Sequence, residues 1–387
     1  MTAEPLRVDA WWTAPGRLEP DELAVFRSLL PYCFEESDDW VLDDVDVPSV
    51  GYVEGATAGL PEKLGRAFGR SVSRRGGPSS GLLDLWDVRA PRSGADVKDA
   101  EIGPGLRVGG HLLARLAAAV DTVALNLADE LGAHEALVPH LVPWDTIRRA
   151  GYDRTFPQHL TSCHVVRPDV DVLDRFADGR ADVERDMVPA PVCATPTVCM
   201  PLFADLADAV LDGPQVVTAR GMCTRHEATV SSTRLWSFAM REIVFVGDRA
   251  GAREFRDVVA GALVQLATDL GLPARVASAS DPFFTRYRPD LAGYQDARSL
   301  KLELSGRLPQ TDEPLAIASV NLHEEHFGRA FGITLADGSP AHSACVGFGL
   351  DRWARWLSHY VDDDPEQWPA AISRRTGPGV GAPRARG

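Results

Sequence analysis

The chain has 387 residues, 45% hydrophobic and 25% charged, enough for a large core and two or three domains. Its net charge of -15 argues against broad contact with a nucleic-acid backbone, which needs clustered Lys and Arg. No N-terminal run resembles a signal peptide, no run approaches the roughly 20 apolar residues of a membrane span, and the six cysteines are scattered. A cytoplasmic protein with free thiols is expected.

Residues 1–105 carry an acidic stretch, "EESDDWVLDD", and a loop-like "SVSRRGGPSSG" that reads as a solvated linker. The pattern sharpens at "GGHLLARLAAAVDTVALNLADELGA", where Leu112, Leu116, Val120, Val123 and Leu127 recur at helical spacing and Gly132 supplies a stop. The extended run "EALVPHLVPW" follows, with Pro139 and Pro143 suited to an edge strand or an interface. A short helix leads from "WDTIRRAGYDR" into a strand near "SCHVV", and residues 199–212 read as a helix opening at a cysteine. Two strand-like runs, "QVVTARGMCT" and "SFAMREIVFVGD", flank a polar loop and predict a hairpin. Its charges, Arg225, Glu227, Arg234 and Glu242, taken alone, fit a salt-bridged ladder on a solvated face.

Beyond the hairpin, "REFRDVVAGALVQLATDLG" is a strongly amphipathic helix. "ARVASASDPFF", "RSLKLELSGRL" and "LAIASVNLHEEHFG" read as strands with loops. "HSACVGFGLDRWARWLSHYV" is a strand, a Gly-rich corner and a helix, and the Gly/Pro/Arg-rich tail "RRTGPGVGAPRARG" is expected to be disordered. Strands outnumber what alternating strand-helix units would need, which points to an α+β fold on an antiparallel sheet. "HEEH" at 323–326 spaces its histidines at i and i+3, not the i and i+4 of a zinc-protease helix, and reads as a polar loop.

The hairpin "RHE…F…RE", the strand "KLE" and the strand-helix "GFGLDRW" resemble the signature motifs of class II aminoacyl-tRNA synthetases. Within that class, "GYDRTFPQHL", "CTRHE…SFAMRE", "SDPFF", "ASVNLHEEHFG" and "HSACVGFGLDRW" are similar to amino acid:[carrier protein] ligases, relatives of the atypical zinc-dependent seryl-tRNA synthetases. The resemblance covers roughly residues 110–360. It implies a class II synthetase-like antiparallel sheet flanked by helices over 106–365, an N-terminal extension of unknown role over 1–105, and a disordered tail over 366–387. It further implies activation of a small amino acid of the glycine, alanine or serine class with ATP, and its transfer to the phosphopantetheine thiol of a carrier protein. A homodimer through the helix and strand at residues 110–145, which resemble the dimer-interface motif of that class, is implied, with no tRNA and no membrane as partner.

The resemblance also implies residue roles. Cys199, Glu242 and Cys345 match a Cys, Glu, Cys zinc set whose fourth position would accept the substrate amine. Cys193 in "CATPTVC" remains open as an alternative to Cys199. Arg225 and Arg352 would hold ATP phosphates through their planar forks. Phe238 would stack on adenine, which Glu227 and the backbone at Arg234 and Leu235 would also contact. Glu303 would hold Mg2+. Lys301 and the run Ala316, Ile317, Ala318 and Ser319 would complete the nucleotide and aminoacyl pocket, and Asp281 would be a second anchor for the ammonium.

Two departures stand out: Thr224 occupies a position the family fills with an aromatic, and Glu324-Glu325 replace a Gln-Asp pair. Competing readings are a tRNA-charging seryl-type synthetase, which would need a long basic arm, and a non-catalytic paralogue.

Overall fold

The computed structural model describes residues 8–18, 20–34, 40–43, 47–53, 57–72, 81–90, 93, 97–226, 231–279, 300–309 and 314–373. The N-terminal region is not merely linker. It builds β1 (Ala10–Thr13), α1 (Pro20–Leu29), β2 (Trp40–Asp43), β3 (Ser49–Tyr52) and α2 (Leu60–Val72). The three strands pair antiparallel in the order β1-β3-β2. Phe26, Leu30, Leu60 and Leu64 are buried in a core of their own, which Trp12 and Phe68 flank.

The chain then supplies β4 (Gly81–Asp84), the hairpin β5 (Asp99–Gly103) and β6 (Leu106–Gly109), α3 (His111–Glu130), β7 (His134–Leu137) and β8 (Leu141–Pro143). Next come α4 (Trp144–Arg149), α5 (Tyr152–Thr155), β9 (Ser162–Val166), α6 (Val170–Ala177), α7 (Val183–Asp186) and β10 (Met187–Ala194). Then follow α8 (Cys199–Asp205), β11 (Val210–Leu211), β12 (Gln215–Thr224), β13 (Ser237–Gly247), α9 (Arg249–Leu270) and β14 (Ala274–Ser278). The last elements are β15 (Lys301–Arg307), β16 (Pro314–Glu324), α10 (His326–Phe331), β17 (Thr334–Leu335), β18 (His342–Gly349), α11 (Leu350–Leu357) and α12 (Ala370–Ser373).

Eight strands form the main sheet, in the order β4-β14-β15-β16-β18-β13-β12-β7. It is antiparallel except where β7 joins β12. The α+β expectation and the long hairpin are borne out. The 105/106 boundary is corrected: β4 belongs to the main sheet, and the β5–β6 hairpin straddles that boundary. The tail is corrected too. Trp368 and Ile372 are buried in the main core, so ordered chain extends to Ser373; residues 374–387 lie outside the described set.

Strand periodicity sorts side chains onto two faces. On β13, Ile243 and Phe245 enter the core under the helices α3, α9 and α11, together with Leu302 and Leu304 of β15, Val320 of β16 and Val346 and Phe348 of β18. Met240 and Val244 of β13 and Cys345 of β18 belong instead to a second cluster that includes Phe203 of α8 and Phe331 of α10. The helix α9 is held at both ends, with Asp248 accepting from the Gly251 N–H at 2.7 Å and Gly271 closing it at φ 62°.

One expectation needs amending. The 20-residue α3 is long and apolar enough to cross a membrane by length and composition. Here Leu112, Leu116, Val120 and Ala124 are buried in the main core, and Asp121 pairs with Arg241 at 2.5 Å. One face of α3 therefore packs in the main core, with a third of its apolar stretch buried.

Candidate active site

The second face of the sheet opens into a cavity of about 1020 Å³. Register explains what lines it. β15 to β16, β16 to β18 and β18 to β13 are each antiparallel and in register here, so Glu303, Ser319, Gly347 and Glu242 form one row across four strands. The adjacent row runs Lys301, Asn321, Cys345, Val244. Neighbouring strands lie about 4.8 Å apart, so a row presents its side chains as a continuous strip. Gly347 keeps the strip open. A Cβ there would meet Met240 Cε at 2.9 Å and approach Glu242 Cγ at 3.6 Å.

Cys199, Arg225, Arg234, Glu242, Lys301, Glu303, Ser319, Cys345 and Arg352 all reach this cavity. Sequence positions spread over 150 residues thus converge on one space. Two of the implied residues, Glu227 and Asp281, lie outside the described set.

The two signature arginines are held by main-chain carbonyls, which orient a guanidinium without cancelling its charge. Arg225 donates from Nε to Pro196 O at 2.8 Å. Arg352 donates to Thr233 O at 3.0 Å and to Ala316 O at 3.2 Å. Lys301 Nζ pairs with Glu303 Oε1 at 2.8 Å, so a cation meeting Glu303 would compete with that lysine.

Glu242 is 3% exposed. Its Oε1 accepts from the Val198 N–H at 2.9 Å, while Oε2 is buried and accepts no hydrogen bond. Burial pushes this carboxyl up, and the Cys199 and Val198 groups beside it pull the other way. Burial also raises the Cys199 thiol well above its ordinary value, reinforced by the negative charge available on Glu242 and Cys345. Cys199 therefore sits close enough to both for their charges to matter. Among the described residues no three His, Cys, Asp or Glu side chains form a ready-made metal cage. The three implied ligands line one cavity, with Cys199 beside both Glu242 and Cys345.

Cys193 does not share it. It is fully buried, donating to Thr161 O at 3.2 Å within the β9–β10 region, so of the two it is Cys199 that lies at the cavity. Cys223, at the end of β12, is a buried thiol pushed up to about 12 by desolvation.

Other implied roles need correcting. Ile317 and Ala318 are both buried in the helix-side core, because the β15–β16 register shifts between Leu304 and Ser305 and leaves Ile317 as an extra residue that breaks the alternation. Of the run 316–319 only Ser319 reaches the cavity wall, while Ala316 offers its carbonyl to Arg352. The Leu235 side chain is 8% exposed, and the contact implied there is the main chain's. The Phe238 ring makes a cation–π contact with the Arg225 guanidinium, 5.5 Å from the ring centroid.

Sequence reasoning missed His323, read as part of a polar loop. It stands near the end of β16 at the cavity, its Nδ1 3.1 Å from Ser343 Oγ and its Nε2 3.5 Å from Cys345 Sγ. The signal was present in "ASVNLH": Ser319, Asn321 and His323 alternate with apolar residues and share the cavity face.

Searched against family models, the chain matches none. Against curated proteins it is 36% identical over 237 residues to amino acid–[acyl-carrier-protein] ligase 2 of Bradyrhizobium diazoefficiens, covering 58% of this chain and 69% of that one. It is 26% identical over 282 residues to the type-2 serine–tRNA ligase of Methanopyrus kandleri, covering 66% of this chain but 53% of the relative. Its fold resembles the M. kandleri enzyme in the crystal structure of A. aeolicus tRNASec in complex with M. kandleri SerRS, at a TM-score of 0.63 and 20% identity, over 87% of this chain and 72% of that one. This protein belongs to the amino acid–[acyl-carrier-protein] ligase family.

Proposed function

We propose that the protein activates a small amino acid with ATP and passes it to the phosphopantetheine thiol of a carrier protein. The observation that carries this reading is the convergence of Arg225, Arg352, Lys301, Glu303, Glu242 and Cys345 on one cavity face, in a chain of the ligase family. In the first step a carboxylate oxygen of the amino acid attacks the α-phosphorus. A new P–O bond forms as the bond to pyrophosphate breaks. Arg225 and Arg352 supply fixed positive charge for the phosphate oxygens, already oriented by carbonyls before substrate arrives. In the second step the thiol sulfur bonds to the acyl carbon, AMP leaves with the electron pair, and the thiol proton passes to solvent.

Zinc is proposed at Cys199, Glu242 and Cys345, and Mg2+ at Glu303. The sulfur and oxygen donors suit zinc, and the unpartnered Glu242 Oε2 is a buried acceptor looking for a cation. Bound zinc would supply a Lewis-acidic position for a neutral amine. The chain's own part is to hold Glu242 by the Val198 N–H and to keep the floor clear through Gly347.

A homodimer is proposed through α3 and β7. β7 is an edge strand, and Leu137 and Leu141 beside it are exposed, a liability unless covered. Light scattering that finds a monomer at micromolar concentration would refute it.

The function is tested by ATP–pyrophosphate exchange over a panel of amino acids, followed by mass spectrometry of a holo-carrier and tRNA offered side by side. Exchange with a small amino acid and loading of the carrier alone are expected. Charging of tRNA at a matching rate would overturn the choice of acceptor, and no exchange with any amino acid would overturn the enzyme.

A further inference from the structure

One wall of the cavity does not come from the sheet. Val25 and Leu29 of α1 and Tyr32 in the 3-10 turn after it line the same space as Glu242 and Arg352. Positions 25, 29 and 32 fall at i, i+4 and i+7, which is one stripe of a helix. The neighbouring stripe, Phe26, Leu30 and Cys33, is buried in the N-terminal module's own core. The segment therefore carries two apolar stripes side by side, one in its module's core and one at the cavity.

We propose that this second stripe is the wall along which the phosphopantetheine arm of the acceptor reaches the aminoacyl adenylate, making Val25, Leu29 and Tyr32 positioning residues for transfer. The inference rests on the ligase reading above. Charge supports it. The groups suited to phosphate, metal and ammonium all stand on the sheet or on elements attached to it, whereas the α1 stripe offers methyl groups and one phenol. Such a surface suits a neutral chain of methylenes and amides. Depth supports it too. Glu242 and Cys345 are 3% and 4% exposed, so an acceptor thiol has to travel inward to an adenylate held above them. A cavity of about 1020 Å³ also lies at the upper end of small-molecule sites, about 1,000 Å³, leaving room for a chain beside a nucleotide. The stripe takes no part in bond making; the thiol attack and AMP departure proceed as written above.

The experiment uses the full chain with Tyr32→Ala and, separately, Val25→Trp. Tyr32 is 37% exposed, so its loss leaves the module's core filled. Thermal melts confirm that each variant folds. Exchange is expected within about twofold of wild type, while KM rises about tenfold for both a holo-carrier and free phosphopantetheine, with kcat retained. Exchange falling in parallel with transfer would overturn the proposal and make the stripe a cap on the adenylate. A rise for the carrier but not for free phosphopantetheine would overturn it in favour of contact with the carrier's body. No change in either would remove the stripe from the reaction. Wild-type protein that exchanges but loads no carrier would instead sink the ligase reading, and that failure appears with α1 intact.

Discussion

Arg241 and Glu242 are consecutive on β13, both about 97% buried, and they face opposite sides of the sheet. Arg241 points under the helices. Its guanidinium donates to Asp121 at 2.5 Å, to Glu135 at 2.9 Å and to Thr218 at 3.4 Å. Burial alone would lower it, but these partners hold it above its ordinary value. Glu242 points into the cavity with one oxygen satisfied and one left over. A buried charge that is fully partnered has its work inside the fold. A buried charge with unspent capacity costs stability and persists where a ligand completes it.

The comparison is broken most severely by Arg241→Ala. It removes the buried partner of Asp121, which keeps only the half-exposed Arg220, while the half-exposed Glu135 returns to water, so the cost stays below that of breaking a fully buried pair, about 3–5 kcal/mol. A fall in the denaturation midpoint is expected by chemical unfolding. A midpoint within experimental error of wild type would mean the pairing is incidental.

On the cavity face the expectation inverts. Arg225→Ala and Arg352→Ala should each lower pyrophosphate exchange by about 100- to 1,000-fold, the usual effect of removing one preorganised charge from a transition state, with melting little changed. Exchange within a few-fold of wild type would remove both from the phosphate site. Glu242→Gln sharpens the contrast because it preserves shape and removes charge. The fold should hold, since burial already disfavours the carboxylate. Zinc measured by elemental analysis should drop together with exchange; full activity in zinc-free protein would falsify the metal proposal.

The smallest effect belongs to Asp248→Ala on the helix side. Losing this cap of α9 should cost about 1 kcal/mol in unfolding experiments, with exchange unaltered. A matching loss of activity would show that the two faces are coupled through α9.

Much of this was legible in advance. The strand "KLEL" announces itself by alternation and "SFAMREIVFVG" by its β-branched and aromatic run, and the opening of α8 at Cys199 was read directly. Residues 1–105 were not legible as a module, because strands of four residues and helices interrupted by charge carry little periodic signal. Ile317 and Ala318 were placed in the pocket by resemblance, and a register shift between β15 and β16 put both in the core instead.

The sequence by itself determined the elements, the hairpin, the family resemblance and the residue types available for phosphate and metal. Those depend on local periodicity and on composition, which act over a few residues. Only the tertiary structure decided which face each residue serves. A row such as Glu303, Ser319, Gly347 and Glu242 exists through the pairing of four strands far apart in the chain. The same pairing brings His323 to Cys345, and folding sets the stripe of α1 against the cavity. A one-residue slip in register would exchange Arg241 for Glu242 at the cavity floor, because side chains along a strand alternate with a period of two.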